Sequence, residues 1–449
     1  DPVLDRLISE ADARNSSLKI AGLRVLEARA QLGIAESGRY PQLQQLGVDS
    51  LYVDRHQSGG NNPQDLHFWQ HSAAFDVGWE LDFWGRFSRA IESSDAQYFA
   101  AQANYEDALV LLRAQVADTY FSLRTTEARL RVARENAVQQ KRNFEITEKL
   151  FNSGQSAELD LQQAKTQYLG TLSSIPAFED QLLRTRNALA VLVGQPPGGA
   201  ALLAEQSGLI PLVDRAVLQD VPANLLLRRP DVRAAELNVA AQSALVGVAE
   251  TDLYPSLTLL GSIVWSTDSL SATPRSLDLI GGPSLRWNIF DYGRIRNNIR
   301  VQDARLQQLI EAYRDKVRQA AREADDAASG LSKALERERI LREAEGAARR
   351  SLVLANTQSR EGYSDFQRVL DAQRALLELQ DNYLVSRSNA VSNLIALYKA
   401  LGGGWQSTSP QIDEPTREQM QQRTNWGDLL TAPPAQPLYP LPSQDRRHD

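Results

Sequence analysis

The hydrophobic pattern of this chain switches between two periods. From residue 75 to 83 the period is two: Phe75, Val77, Trp79, Leu81 and Phe83 alternate with Asp76, Gly78, Glu80 and Asp82. Successive side chains of a strand point to opposite faces, so this run predicts a strand with one apolar and one polar face. The alternation returns later. Leu257, Leu259, Ile263 and Trp265 interleave with Ser256, Thr258, Ser262 and Ser266, and Leu285, Trp287 and Ile289 with Ser284, Arg286 and Asn288. Two β-hairpins are expected, over 40–84 and 254–292. Such strands suit a membrane barrel with lipid outside and a wet lumen inside. In a soluble protein they would form half of a sandwich instead.

After each hairpin the period lengthens. From Arg86 to Ser153 there is neither Gly nor Pro, and from Arg294 to Glu361 there is no Pro and only Gly330 and Gly346. With nothing to break them, two very long helices are predicted, each ending in a glycine turn and a return helix. Gly85 to Gly154 and Gly293 to Gly362 are both 69 residues apart, which is about 100 Å at the helical rise. Leu109, Leu112, Val116, Tyr120, Leu123 and Leu130 form an apolar seam. The return helices carry heptad sites at Leu161, Tyr168, Ile175, Leu182 and Leu189, and at Val369, Leu376, Tyr383, Ala390 and Leu397, a coiled-coil pattern. Pro176 is expected to kink the first return helix.

The chain also repeats itself. Gly33-Ile34-Ala35-Glu36 with Tyr40-Pro41 matches Gly247-Val248-Ala249-Glu250 with Tyr254-Pro255, at an offset of 214. Trp79 to Arg86 matches Trp287 to Arg294, Gly154 matches Gly362, and Leu192-Val193-Gly194 matches Ala400-Leu401-Gly402, all at an offset of 208. The six-residue shift falls between the proline and tryptophan anchors, and the polar stretch Gln57–Gln64 suggests a longer hairpin loop in the first repeat. Repeat one spans 1–200 with a helical hairpin over 86–193. Repeat two spans 222–405 with a helical hairpin over 294–401. The Pro- and Gly-rich segment 195–221 reads as a linker with a short helix. Residues 406–449 hold seven of the nineteen prolines and read as an extended, weakly ordered tail.

Composition removes most other functions. The net charge is −7, without the basic footprint that nucleic acid demands. There is no cysteine, so disulfides, thiolate metal sites and cysteine nucleophiles are excluded. His67 and His71 have helical ligand spacing, but they flank a strand-like run and read as surface residues. No apolar run of about 18 residues exists, so a membrane could be crossed only by strands. There is no phosphate loop, nucleophile elbow or metal cluster, so no enzyme and no cofactor are expected. The chain starts at Asp1 in helical periodicity and reads as mature or truncated.

Four strands cannot close a barrel, since known membrane barrels have at least about eight. Open edges in lipid leave backbone groups unpaired. Association of copies is therefore expected, and periodicity does not set their number.

Four segments are familiar in combination. They are Leu227-Arg228-Arg229-Pro230-Asp231-Val232-Arg233-Ala234-Ala235-Glu236, the run Gly282 to Arg294, Val369-Leu370-Asp371-Ala372-Gln373-Arg374, and Leu397-Tyr398-Lys399-Ala400-Leu401-Gly402-Gly403-Gly404-Trp405. They resemble the outer membrane factor (TolC-like) family, in particular the NodT-type outer-membrane lipoproteins of RND multidrug efflux systems. The resemblance covers about residues 1–405. It implies a mainly α fold with a β part: a homotrimer whose helical hairpins form a periplasmic α-barrel and whose strands form a twelve-stranded barrel in outer membrane lipid. It implies docking to a periplasmic adaptor (a membrane fusion protein) and an inner-membrane RND transporter. Many members of that subfamily carry a lipidated N-terminal Cys, which this sequence lacks.

The resemblance also points to Asp371 as a pore-lining constriction residue, and three copies would form a cation-favouring acidic ring. Ser364, Arg368 and Asp371 are expected on one helical face. Gln367 stands where relatives with a hydrophobic gate carry an apolar residue. Arg368 replaces an acidic residue of TolC-like relatives, and its repeat-one equivalent is Asp160, so the two are expected to pair across neighbouring hairpins in the closed state. Gly154, Gln155, Ser156, Gly362 and Tyr363, at the tips, are the expected adaptor contacts. Two other readings are a type I protein-secretion duct and a soluble coiled-coil scaffold of the cell envelope.

Overall fold

The computed structural model describes residues 1–56, 65–198, 210–211, 213, 229–269, 276–403 and 412–430. Most of the expected linker 195–221, both β-hairpin loops and the end of the tail lie outside the described residues. The elements run α1 (Pro2–Arg14), α2 (Ser16–Ser37), β1 (Leu43–His56), β2 (Asp65–Glu80), α3 (Arg86–Asn152), α4 (Glu158–Leu192), α5 (Pro230–Thr251), β3 (Ser256–Asp268), β4 (Ser276–Arg286), α6 (Arg294–Arg360), α7 (Phe366–Ala400) and α8 (Glu414–Arg423).

The repeat is visible in these bounds. α2 and α5 are offset by 214, and α3/α6 and α4/α7 by 208. The described strands have 14 and 16 residues in the first hairpin against 13 and 11 in the second. The expected longer loop over Gln57–Gln64 lies outside the described residues.

The chain divides into two compact units, 1–23 with 102–233 and 315–425, and 24–101 with 234–314 and 426–449. The second unit carries the sheet, antiparallel in the order β1-β2-β3-β4. Residues opposite each other on neighbouring strands share a face. One face holds the rows Leu46–Phe75–Ile263–Leu279 and Val48–Ala73–Trp265–Leu277, and all of these except Ala73 are exposed. The other face holds Asp49–Ser72–Ser266–Ser276 and Gln45–Asp76–Ser262. There Ser262 donates to Asp76 at 2.6 Å and Ser266 bonds Ser276 at 2.7 Å. Leu260 and Ile280 also fall on this polar face. Among the described residues β1 and β4 each pair on one side alone, so both are open edges. His67 and His71 sit on β2 beside Asp54 and Ser50, as surface residues.

The strands stop earlier than the alternation suggested. β2 ends at Glu80 and β4 at Arg286, so Leu81, Phe83, Trp287 and Ile289 lie beyond them. The indoles account for it: Trp79 donates to the Arg39 carbonyl (3.2 Å), Trp84 to that of Pro255 (2.8 Å) and Trp287 to that of Leu253 (3.1 Å). These bonds tie the strand ends to the preceding turns, and Trp84 stacks on Tyr254 at 4.6 Å.

The first unit is helical. α3 and α6 each run 67 residues, which is about 100 Å. The seam of Leu109, Leu112, Val116, Tyr120, Leu123 and Leu130 is buried. The return helices differ. Val369, Leu376, Ala390 and Leu397 of α7 are buried as expected, but in α4 the buried stripe is Ala164, Thr171 and Thr185, with Leu189. Leu161, Tyr168, Ile175 and Leu182 are only half-buried. α4 thus packs through a small-residue stripe three positions along. It runs unbroken past Pro176, which is exposed, so solvent can replace the missing backbone donor. The tail is not wholly extended: residues 414–423 form α8, held by Lys19–Asp413 (3.0 Å) and by buried Met420.

Helices α3, α4, α6 and α7 all end at a glycine with positive φ: Gly154, Gly194, Gly362 and Gly402. At Gly154 an added Cβ meets nothing within 4 Å, whereas at Gly194 it lies 2.7 Å from the Arg14 carbonyl oxygen. Gly154→Ala is expected to cost about 1–2 kcal/mol of unfolding free energy for the left-handed backbone alone. Gly194→Ala is expected to cost clearly more, because Arg14 must also move. Parallel thermal melts of the two variants check this.

Candidate functional site

At the first tip, the Gln155 N–H donates to the Leu150 carbonyl (2.8 Å) and the Gly154 N–H to that of Phe151 (2.9 Å). At the second, Tyr363 donates to Gln358 (2.9 Å) and Gly362 to Ser359 (3.2 Å). Each tip is therefore a glycine-capped helix end with its last carbonyls satisfied. Gly154, Gln155, Gly362 and Tyr363 are exposed, Tyr363 at 81%. A large aromatic ring held in solvent at a turn is more surface than the turn itself needs.

The residues expected at the gate fall on the first turns of α7, in part. Gln367, Arg368 and Asp371 are helical, but Ser364 precedes Phe366, where α7 begins, and so is a turn residue rather than a member of that helical face. Asp371 accepts from Gln367 Nε2 at 3.1 Å and from the guanidinium of Arg374 at 3.3 Å. Its carboxylate is half exposed and already has a cation one turn along. Asp160 accepts from the Ser156 hydroxyl at 3.0 Å. No Asp160–Arg368 ion pair occurs among the described contacts within the chain, and Arg368 is exposed.

Three other side chains pack nearby without having been singled out by the sequence. Gln140 of α3 and Gln163 and Gln167 of α4 line one cavity together with Gln367 and Arg374. A glutamine on a long helix carries no local signal, and only the packing of α3, α4 and α7 gathers these. The Arg229-Pro230-Asp231 segment served above as a family marker. In the fold it is an ion-pair hub: Arg229 is buried, clamps Asp231 through two hydrogen bonds (3.0 and 2.9 Å), reaches Glu323 at 2.8 Å and donates to the Ala400 carbonyl at 3.1 Å.

The family model described as "Outer membrane efflux protein" matches residues 7–195 and 221–403. The chain belongs to that family. Among relatives of this outer membrane efflux protein is the pyoverdine export outer membrane protein OpmQ of Pseudomonas putida, 31% identical over 422 residues, covering 91% of this chain and 87% of that one. Another is the cation efflux system protein CusC of Escherichia coli O6:H1, 30% identical over 416 residues, with 90% and 87% covered. The solved structure of the outer-membrane channel OprN matches with a TM-score of 0.84 at 32% identity, covering 90% of this chain and 91% of that one. The two-repeat architecture of long helical hairpins and four strands is thus that of outer-membrane efflux channels. The relatives named are export and channel proteins rather than enzymes, and the outer membrane is where this efflux protein acts.

Proposed function

We propose that the chain is one protomer of a homotrimeric exit duct, serving a tripartite RND pump and gated at the tips of its helical hairpins. The observation that carries this is the sheet: four strands, one uncovered apolar face, one polar face and two open edges. An apolar face outward and hydroxyls and carboxylates inward is what a lipid-facing wall around a wet lumen requires. Three copies would supply twelve strands and satisfy every edge. OpmQ and CusC, by name, belong to export systems for pyoverdine and for cations. On this reading the duct itself is passive, with drugs and other small toxic compounds delivered by an adaptor and an inner-membrane transporter. The exposed tip residues Gly154, Gln155, Gly362 and Tyr363, with half-buried Ser156 beside them, support the adaptor contact. Native mass of the detergent-extracted protein, with the micelle stripped in the gas phase, is expected at three chains. A monomer that stays in solution without detergent would favour the soluble scaffold and sink the duct.

The gate reading rests on Asp371, Gln367 and Arg368 at the start of α7. Asp371→Ala is expected to lower cation over anion permeability in planar bilayers by about twofold or more, since a ring of three carboxylates is lost. Because Arg374 already offsets part of that charge, Arg374→Ala moves selectivity the other way. Since Asp160 and Arg368 do not pair within the chain, the proposed closed-state bridge joins neighbouring protomers. Arg368→Ala then raises closed-state conductance, and an unchanged conductance removes that bridge from the mechanism.

A further inference from the structure

The two repeats build the same turn before their first strands. The Tyr40 N–H donates to the Ser37 carbonyl (3.2 Å) and the Tyr254 N–H to that of Thr251 (3.1 Å). The hydroxyls of Ser37 and Thr251 donate in turn to the carbonyls of Ile34 and Val248 (2.6 and 2.7 Å). The indoles of Trp79 and Trp287 tie the far end of each hairpin back to this turn, at Arg39 and Leu253. The offsets of 214 at the turn and 208 at the strand end therefore carry contacts, as well as residues, from one repeat to the other.

One contact has no image within the chain. Where repeat one meets repeat two, Trp84 stacks on Tyr254, with centroids 4.6 Å apart and planes 17° from parallel, and donates to the Pro255 carbonyl at 2.8 Å. The offset of 208 takes Trp84 to Tyr292, and that of 214 takes Tyr254-Pro255 to Tyr40-Pro41. Tyr40 leads into β1 and Tyr292 follows β4, at opposite edges of the sheet. Three strand spacings, about 14 Å, separate those edges. Tyr40 is 68% exposed, and the Tyr292 side chain is wholly in solvent. Tyr292 is also the one described non-glycine residue with positive φ, 54°. That backbone is unfavourable for a bulky side chain, and Trp84, docked on its partner, does not adopt it.

The chemistry of the joint is kept at the second site. Tyrosine, like tryptophan, offers a flat ring to stack and one donor at its end. The Pro41 carbonyl accepts from Gln44 at 3.3 Å and has a second lone pair to offer. The ion pair that flanks the first joint, Arg86 with Asp252 at 3.5 Å, is not repeated, because the counterpart of Asp252 is Gly38. The second joint therefore rests on its rings. We infer that Tyr292 docks on Tyr40 and Pro41 of the partner subunit, a second copy of this chain, as Trp84 docks on Tyr254 and Pro255. Such a contact joins unlike edges head to tail, so it repeats around a closed ring. The inference rests on the homotrimer proposed above and adds which side chains lock its copies together.

The sequence has no cysteine, so introduced thiols report without background. The assembled protein carrying both Tyr40→Cys and Tyr292→Cys is treated in detergent with a short bis-methanethiosulfonate reagent. Bands of two and three chains, and none larger, are expected on a denaturing gel. Each single variant is expected to stay at one chain, and the two single variants, co-expressed with different tags, to give a mixed two-chain band. Trp84→Cys with Tyr254→Cys, the joint inside the chain, is the control that reacts without a change of mass. Tyr292→Ala is expected to raise dissociation of the trimer on dilution about tenfold or more, since three stacked pairs are lost per ring. Tyr40→Ala added to it should cost little more, because both remove one contact. A trimeric native mass without cross-linking of the pair, or alanine losses that simply add, would overturn the joint and leave the trimer standing. A monomeric native mass would overturn both.

Discussion

Ile263→Lys is expected to remove the protein from the outer membrane fraction, while Ser262→Lys, one residue away, leaves it there. Ile263 lies in mid-strand on β3, between Phe75 and Leu279 on the apolar face, and is exposed. In a lipid-facing barrel wall, lysine near the bilayer midplane costs about 2–4 kcal/mol, and every protomer of an assembly bears the cost. Ser262 points the other way and already donates to Asp76, so an ammonium there enters a wet, acidic surface. Gradient fractionation and a heat-modifiable oligomer band on gels read both variants. No loss in either variant would mean that the apolar face does not meet lipid, and equal loss in both would mean general damage to β3. The contrast between adjacent positions separates a lipid effect from general damage to β3.

That contrast was legible in the sequence because strand alternation is a local rule with a period of two. The long helices were legible for a related reason: glycine and proline are so scarce between Arg86 and Asn152, and between Arg294 and Arg360, that few other structures were possible. The tips followed from Gly154 and Gly362, whose positive φ suits glycine. What the sequence hid was tertiary. Alternation through Trp79 and Trp287 could not show that their indoles bond to backbone carbonyls and mark where the strands finish. The heptad of large residues in α4 concealed that Ala164, Thr171 and Thr185 are the buried stripe, because close approach of helices favours small residues over large ones. Prolines in the tail masked α8, where Pro415 sits at the helix start and costs no hydrogen bond. At the gate, Gln367 and Asp371 fall on one helix by spacing alone. Their joining with Arg374, and the convergence of glutamines from three helices, arise only when α3, α4 and α7 pack.

Arg229→Ala is expected to cost about 3–5 kcal/mol, the range for breaking a buried ion pair from one side. Arg229 and Asp231 have side chains only 9% exposed. Removing the guanidinium strips two hydrogen bonds from Asp231, one from Glu323 and one from the Ala400 carbonyl near the end of α7, leaving Lys316 at 3.0 Å as the cation on Asp231. Arg229→Lys is expected to recover only part of the loss, because a single ammonium cannot reproduce the fork on Asp231. Arg374→Ala, which breaks the exposed pair with Asp371, sets the scale for a surface bridge at about 0–1 kcal/mol. Acid should narrow the gap. Burial alone would push the Asp231 carboxyl up, but Arg229 and Lys316 more than offset this and hold it below its ordinary value of 3.8. The stability it supplies is therefore present above that ordinary value and lost as pH falls through the lower folded value. The difference between wild type and Arg229→Ala is largest near neutrality and shrinks below about pH 4. A gap that stayed constant across this range would mean that Arg229 acts through the Ala400 carbonyl and packing at Gly402, rather than through Asp231.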